Sequence, residues 1–478
     1  MRDALDPRRR WLALLLLCFG QLMIVLDSTI VNVALPSIRQ DLAFTETGLV
    51  WVVNAYLLTF GGFLLLGGRL ADLFGQRRLF LAGLTLFTLA SLACGLANTQ
   101  GLLVAARAVQ GLGGAVVSAV ALSLIMNLFP DAAGRTRAMG IFGFVCAGGG
   151  SLGVLLGGVL TSALSWHWIF LVNLPLGIAV YAAVLALLPA DGERVAGARL
   201  DVGGAVTVTL SLMLAVYAVV DGNTAGWTSA RTLLMLGAAA ALMALFVAIE
   251  SRVASPLMPL SLFALRNVAT ANVMGVLWAA GMFAWFFVSA LYLQQVLGYD
   301  ALRVGLAFLP GNLVMAVLSV GWSARIVMRF GIRAPLACGL FVAALGLWLF
   351  SLAPEGGSFW LHVLPGMVLL GLGAGLAFNP ILMAAMSDVP EHESGLASGV
   401  VNTSFMMGGA LGLAVLASFA EARTAGLRAA GATAVTALNG GYQLAFLLGA
   451  GCALLAAVIG LAFMRPGRLA ASGAVTAH

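Results

Sequence analysis

Fourteen apolar runs, each closed by a charged or Gly/Pro-rich break, follow one another along the chain at residues near 11–35, 48–67, 79–97, 101–125, 138–160, 167–188, 202–221, 231–250, 269–294, 303–322, 335–353, 360–385, 397–420 and 441–464. A hydrocarbon core about 30 Å thick is crossed by about 20 apolar residues in a helix, so fourteen crossings would use roughly 280 residues. In a chain of 478 residues that leaves short connections and no room for a sizeable soluble domain. The runs therefore predict an all-α integral membrane protein with about 14 transmembrane helices.

Composition agrees: 62% of the residues are hydrophobic and 9% are charged, against about 45–50% and about 25% in soluble domains. The first run follows Arg8-Arg9-Arg10 as a signal peptide would. No small-residue cleavage site closes it, however, and Asp27 and Asn32 continue it, so it is expected to be a retained first helix. Cys18, Cys94, Cys146, Cys338 and Cys452 all fall inside apolar runs without a CxxC neighbour or a His at ligand spacing, and neither disulfides nor a metal site are expected. The net charge of +6 is scattered singly between apolar runs rather than gathered on one face, which argues against nucleic acid as a partner.

The basic residues serve orientation better. All 24 are Arg, and with the N-terminus inside, 18 fall in cytoplasmic segments, 5 in external ones and 1, Arg107, within a span. The positive-inside rule then places both termini in the cytoplasm. The connection Ser387-Asp388-Val389-Pro390-Glu391-His392-Glu393 should be cytoplasmic yet carries no Arg.

An internal echo suggests two halves. Phe74-Gly75-Gln76-Arg77 returns as Phe330-Gly331-Ile332-Arg333, 256 residues later, each time between two spans, and the same offset sets Gly153 against Gly409. Spans one to six then oppose spans nine to fourteen, with spans seven and eight inserted between them. The expected units are a six-helix bundle over 1–190, an inserted helix pair with its flanking loops over 191–268, and a second six-helix bundle over 269–478, as in transporters built from parallel repeats.

Several residues carry chemistry that lipid makes costly. Asp27 and Arg107 are the charges placed most clearly within spans, and an intramembrane ionisable residue is a functional hypothesis by default. Asp27 can take up a proton whereas Arg107 keeps its own. Burial disfavours the charged carboxylate and a nearby guanidinium favours it, so movement between the two settings would couple protonation to conformation. The alternative is a permanent buried ion pair, or an Asp near outer water. Asp201, Asp221 and Glu250 lie at the ends of the inserted pair, where water is expected to reach them.

Polar Asn32, Asn54, Gln110, Asn312 and Asn379 lie within spans and either face a central cavity or bond between helices. Span nine carries an aromatic stripe, Trp278, Phe283, Trp285, Phe286 and Phe287, suited either to stacking on a flat or cationic compound or to facing lipid. Gly149, Gly153, Gly157 and Gly158 in span five, and Gly408, Gly409 and Gly412 in span thirteen, permit close helix contact, static or mobile. Gly371-Leu372-Gly373-Ala374-Gly375 sits within an apolar span with no preceding strand and reads as helix packing, not as a dinucleotide loop. Residues 68–78, from Gly68 to Arg78, read as a tight turn in which Gly68 and Gly75 allow close backbone approach and Asp72 pairs with Arg77 or Arg78 as a gate latch.

This last segment resembles the signature loop of the major facilitator superfamily. Leu26-Asp27-Ser28-Thr29-Ile30-Val31-Asn32-Val33-Ala34-Leu35-Pro36 resembles the first-helix motif of its fourteen-helix drug:proton antiporter branch. Arg107-Ala108-Val109-Gln110-Gly111, Trp166-His167-Trp168-Ile169-Phe170-Leu171-Val172-Asn173-Leu174-Pro175 and Tyr292-Leu293-Gln294-Gln295-Val296-Leu297-Gly298-Tyr299 are similar to further motifs of that branch. Three positions depart from it: Val154 replaces the Pro of the antiporter motif in span five, His167 a frequent Arg, and Phe405-Met406 a frequent polar pair.

The resemblance implies a proton-coupled antiporter of the multidrug efflux type, exporting drugs or other amphipathic compounds by alternating access. It would be a multi-pass protein of the bacterial cytoplasmic (inner) membrane that works as a monomer, with protons, a small-molecule substrate and the lipid bilayer as partners and without cofactor or metal. The alternatives are a dedicated exporter of one endogenous metabolite or lipid, a proton-linked importer, and a membrane enzyme. The last lacks an HExxH, a GxSxG, clustered His or paired carboxylates at a recognisable spacing.

Overall fold

The computed structural model describes residues 6–129, 132–188, 201–253, 256–386, 389 and 394–465. Its first half holds α1 (Pro7–Leu42), α2 (Glu46–Phe74), α3 (Gln76–Gly95), α4 (Gln100–Leu128), α5 (Ala132–Ala163), and a short α6 (Trp168–Leu171) that leads into α7 (Asn173–Leu187). Two helices follow, α8 (Val202–Ala225) and α9 (Ala230–Glu250). The second half holds α10 (Arg266–Leu291), α11 (Ala301–Val317), α12 (Ser323–Phe330), α13 (Arg333–Ser351), α14 (Leu364–Met386), α15 (Ser394–Ala429) and α16 (Ala434–Phe463). A π turn at Leu318–Trp322 joins α11 to α12, and others extend α10 (Tyr292–Val296) and precede α14 (Phe359–Val363).

Every one of the fourteen apolar runs falls on a helix. Among the described residues 12 helices are long and apolar enough to cross a membrane, and Leu152–Ala163 within α5 and Ala301–Val317 in α11 are shorter apolar stretches. The helices outrun the apolar runs where polar ends carry them on. Thus α1 continues past Pro36 to Leu42, and α16 begins at Ala434, ahead of its run. Pro36 supplies no N–H to the helix, yet a proline inside a membrane helix is tolerated where neighbours serve the freed carbonyls. One residue on from the Asn32 carbonyl that Pro36 frees, Val33 O accepts from Gln294 Nε2 at 2.8 Å.

The helices run up and down, so their ends gather at two faces, called here the Gly75 face and the Arg39 face. At the Arg39 face side-chain caps start five of the descending helices: Thr45 accepts from Gly48 N, Thr99 from Leu102 N, Ser229 from Thr232 N, Asp300 from Arg303 N and Thr433 from Thr436 N. Such caps satisfy N–H groups that lipid could not. At the Gly75 face two of the described turns are built on a single glycine each. Gly75 and Gly331 both have positive φ, 92° and 74°, and both N–H groups close the preceding helix, on Ala71 O and Val327 O. Two residues on, Arg77 Nη2 donates to Leu185 O at 2.8 Å and Arg333 Nη2 to Leu461 O, the ends of α7 and α16. The four-residue echo in the sequence is therefore one device used twice.

Packing repeats in the same way. In the first half α1 packs on α5, and α2 and α3 on α4; in the second α10 packs on α15, and α11 and α13 on α14. The halves meet along two seams, α5 with α11 and α2 with α15. α8 lies against both α2 and α15, covering that seam, and α9 packs on α8. The outer surface of α9 is apolar, with Leu234 73% exposed.

Three expectations need correction. Residues 68–74 are the last turns of α2 rather than a loop, and the turn is Gly75 alone. Among the described residues nothing lies within 4 Å of a Cβ placed at Gly68, so it makes no close approach to them. Asp201 and Glu250 are not water-exposed ends: they are 5% and 4% exposed, because residues 257–258 fold back over them. The side chain of Asp72, and most of the Arg-free connection at 387–393, lie outside the described residues.

Candidate functional site

Asp27 and Arg107 come together in the core of the first half, 0% and 1% exposed. The middle of α1 brings in the carboxylate and the start of α4 the guanidinium. Arg107 Nη1 donates to Asp27 Oδ2 at 2.5 Å and to Gln110 Oε1 at 2.7 Å, and its Nε donates to Val52 O at 2.9 Å. The other carboxylate oxygen, Asp27 Oδ1, accepts from Gln110 Nε2 at 2.7 Å and from Asn173 Nδ2 at 3.0 Å. Ser91 Oγ accepts from Gln110 Nε2 at 2.8 Å. The Tyr56 ring lies 4.4 Å from the guanidinium carbon and the Phe170 ring 5.6 Å, so aromatic faces cover the cation.

Burying a charge pair is costly unless every lone pair and proton finds a partner. Here five helices, α1 to α4 and α7, supply those partners. Of the expected polar residues, Gln110 thus belongs to this network. Ser91 and Asn173 join it although the sequence reading gave them no role; the signal was their polarity at the inner positions of apolar runs.

The other expected residues divide between the seams and the second half. Asn54 sits on the α2–α15 seam, where its Nδ2 donates to Ala410 O at 2.9 Å. Asn32 bonds within α1, to Thr29 O at 3.3 Å. Asn379 Nδ2 donates to Ser319 O at 3.0 Å, tying α14 to the π turn of α11. Asn312 is buried, with its Nδ2 unpartnered among the described residues. Trp278 and Trp285 are buried inside the second half, so they do not face lipid, and each indole N–H lacks a partner among the described residues. Trp285 lies 5.7 Å from Phe308, on which Phe286 stacks at 5.6 Å.

The glycine stripe of α5 turns two ways. Gly153 and Gly157 lie on α1, where a Cβ would stand 3.0 Å from Leu26 O and 2.6 Å from Ile30 O, and Gly149 lies beside Leu22 and Val25. Gly158 faces across the seam to α11, with Ala301 O 2.6 Å from its would-be Cβ. Gly408 and Gly412 of α15 lie in the same way on Val276 and Ala280 of α10. Gly371, Gly373 and Gly375 press on Gly311, Ala343 and Leu318, which is helix packing, as expected of that run.

Two features were missed. The first is a polar latch at the Arg39 face. Arg39 Nη1 donates to Glu46 Oε1 at 2.8 Å and across the halves to Gln295 Oε1 at 2.9 Å, which also accepts from Tyr442 OH at 3.2 Å. Gln294 to Val33, Asn54 to Ala410 and Leu302 N to Ser162 Oγ at 3.1 Å also join the halves. All four lie toward the Arg39 face. The second is an aromatic corner in which Phe405 meets Phe283 at 5.9 Å and Phe378 edge-on at 5.8 Å, beside a small cavity lined also by Ile381 and Val401. Phe405 stands where the resembled branch often has a polar residue, and that departure was the only sequence signal.

Comparison with known proteins follows the same lines. The sequence profile of the Major Facilitator Superfamily matches residues 17–413. The chain is 41% identical to the cephamycin export protein of Amycolatopsis lactamdurans over 420 residues, 87% of this chain and 86% of that one. It is 38% identical to the puromycin resistance protein of Streptomyces alboniger over 460 residues, 95% and 91% of the two chains. Among solved structures, a bacterial homologue of the human lysosomal transporter Spinster, in an inward-facing and unoccupied conformation, superposes with a TM-score of 0.65 at 16% identity, covering 97% of this chain and 98% of that one.

Proposed function

Because this chain belongs to the major facilitator superfamily, we propose that it exports small drug-like organic compounds in exchange for protons, by alternating access between two halves. It is a membrane transporter and not an enzyme. The observation that carries the reading is the pair of equivalent seams: α5 on α11 and α2 on α15 relate the halves by the same repeat that relates Gly75 to Gly331. Two such halves rock about a shared axis, opening one face as the other closes.

In this reading the units are 1–190, 191–268 and 269–478, and the termini and the Gly75 face are cytoplasmic. The Arg39 latch is then the closed outer gate of a state whose cavity opens inward. Asp27 is the coupling carboxylate. A proton on it removes the negative charge that holds Arg107, freeing the guanidinium to move with α4, and Asp72, Gly75, Arg77 and Arg78 form the inner gate. Cargo binds between the halves, where the aromatic corner at Phe283, Phe378 and Phe405 offers ring faces and Asn54, Asn312 and Asn379 offer polar contacts. The protein works as a monomer in the cytoplasmic membrane of a bacterium.

The names of the two relatives, each given for one compound, favour a second reading in which the cargo is a single endogenous antibiotic. Purified protein in proteoliposomes, given an imposed pH gradient and a panel of labelled antibiotics, tests both. Uphill movement of several unrelated compounds supports broad export, and movement of one supports a dedicated exporter. Downhill equilibration that ignores the pH gradient would reject proton coupling.

A further inference from the structure

A second acid site lies outside the Asp27 network, where α8 begins and α9 ends. Asp201 caps α8: its Oδ1 accepts from Gly204 N at 2.7 Å. Glu250 closes α9, and its Oε2 accepts from Met258 N at 3.1 Å. One oxygen of each carboxyl is thereby satisfied by backbone. The other two, Asp201 Oδ2 and Glu250 Oε1, are buried and have no hydrogen-bond partner among the described residues. They converge on one point: a Cβ at Gly204 would stand 2.5 Å from Asp201 Oδ2 and 2.8 Å from Glu250 Oε1. The groups that act on Glu250 are the Asp201 carboxyl and the N–H groups of Leu257 and Met258. The fold-back over them, Leu257 and Met258, packs with Leu66 and Leu65 from α2 and with Val400 and Met407 from α15. Arg252, the nearest described cation along α9, is exposed.

We propose that Asp201 and Glu250 form a second proton-binding site, in which one proton shared between the two carboxyls ties the start of α8 to the end of α9. Two ionised carboxylates facing each other in a buried place repel, and each would leave an acceptor unserved. A single proton removes both faults, since one carboxyl becomes an O–H donor and the other its acceptor. The balance is simple: H⁺ enters, the pair goes from two negative charges to one, and no other bond changes.

The site also sits where a proton can act on the seam. Leu257 packs with Leu66 of α2 and Ala205 of α8, and Met258 with Val400 and Met407 of α15. Met258, held by Glu250, and its neighbour Leu257 thus touch the helices on both sides of the α2–α15 seam. Loss of the proton would recreate the repulsion and loosen this join at the Gly75 face. The proton site itself does not depend on the export reading.

Infrared spectroscopy of the purified chain in lipid nanodiscs tests it through the C=O stretch of a protonated carboxyl. Near neutral pH the wild type should give such a band, shifted by ¹³C-glutamate labelling or by ²H₂O. The band should survive in Asp27→Asn and vanish in Glu250→Gln and Asp201→Asn. Both amides can still accept the backbone bond and donate to the remaining carboxylate, and the labelling reads the wild type directly if either variant folds poorly. Absence of a protonated band in the wild type, or its survival in both variants, overturns the proposal. So does thermal stabilisation of the wild type by Na⁺ or Mg²⁺ that Glu250→Gln removes without any protonated band, which would make the pair a cation site.

Discussion

At the scale of single residues, the question left by Asp27 and Arg107 is whether their bond is a fixture or a moving part. A fixture is a pair whose loss costs stability alone. Arg107→Gln leaves the Asp27 carboxylate buried without its cation and should cost about 3–5 kcal/mol, read as a lowered unfolding temperature of the purified protein. The paired change Asp27→Asn with Arg107→Gln removes both charges and should recover most of that loss, because the two sites share one network. Coupling should not recover with it: the double variant should bind and exchange cargo yet fail to concentrate it under a pH gradient. Wild-type uphill transport by the double variant would show that the pair is structural. Arg107→Lys should restore only part of the function, since a single ammonium cannot bond Asp27, Gln110 and Val52 O with the planar fork that meets them here.

At the scale of elements, the glycines that look alike in sequence differ by what a side chain would meet. Gly75 and Gly331 have backbone angles open only to glycine, with φ of 92° and 74°, so alanine at either should cost about 1–3 kcal/mol. Gly68 lies inside α2 with nothing among the described residues within 4 Å of its would-be Cβ, so Gly68→Ala should gain up to about 1 kcal/mol through helix propensity. Thermal unfolding in one detergent checks the three together, and equal losses at all three would mean the turn geometry is wrong. On the α5–α11 seam, Gly158→Leu should do more than destabilise. Its side chain would drive against Ala301 O and hold the halves apart there, so transport should fall more than tenfold while the amount of folded protein in the membrane changes little.

The whole molecule is latched at the Arg39 face, and alternating access requires that latch to break in each cycle. Arg39→Cys with Gln295→Cys, in a background whose native cysteines are replaced, places two thiols where the Arg39–Gln295 bond now crosses the halves. Oxidation should lock the face and stop transport, and reduction should restore it. Undiminished transport by the cross-linked protein would rule out a rocking of the two halves about this face. Tags on the two ends should both be reached only from the cytoplasm, as the division of 18 against 5 Arg residues predicts. Antibody binding to either end on intact cells would reject that orientation.

What the sequence determined by itself is what local chemistry decides. Twenty-residue apolar runs must be helices in lipid, whatever they pack on, so the order of helices was readable. A glycine turn repeated 256 residues on was readable too, because Phe-Gly followed by Arg two residues after the Gly recurs between two spans at both places. The nomination of Asp27 and Arg107 followed from cost alone, since a charge in a span is rare enough to stand out. Their contact did not follow, nor did the parts of Ser91, Gln110 and Asn173, because those residues lie on four different helices and share no spacing along the chain. The same holds for Asp201 and Glu250. Reading along the chain puts each at the end of an apolar run, where water would reach it. The fold-back of Leu257 and Met258, and the neighbours α8 finds on α2 and α15, put both under cover, and a carboxyl's surroundings are a property of what closes over it.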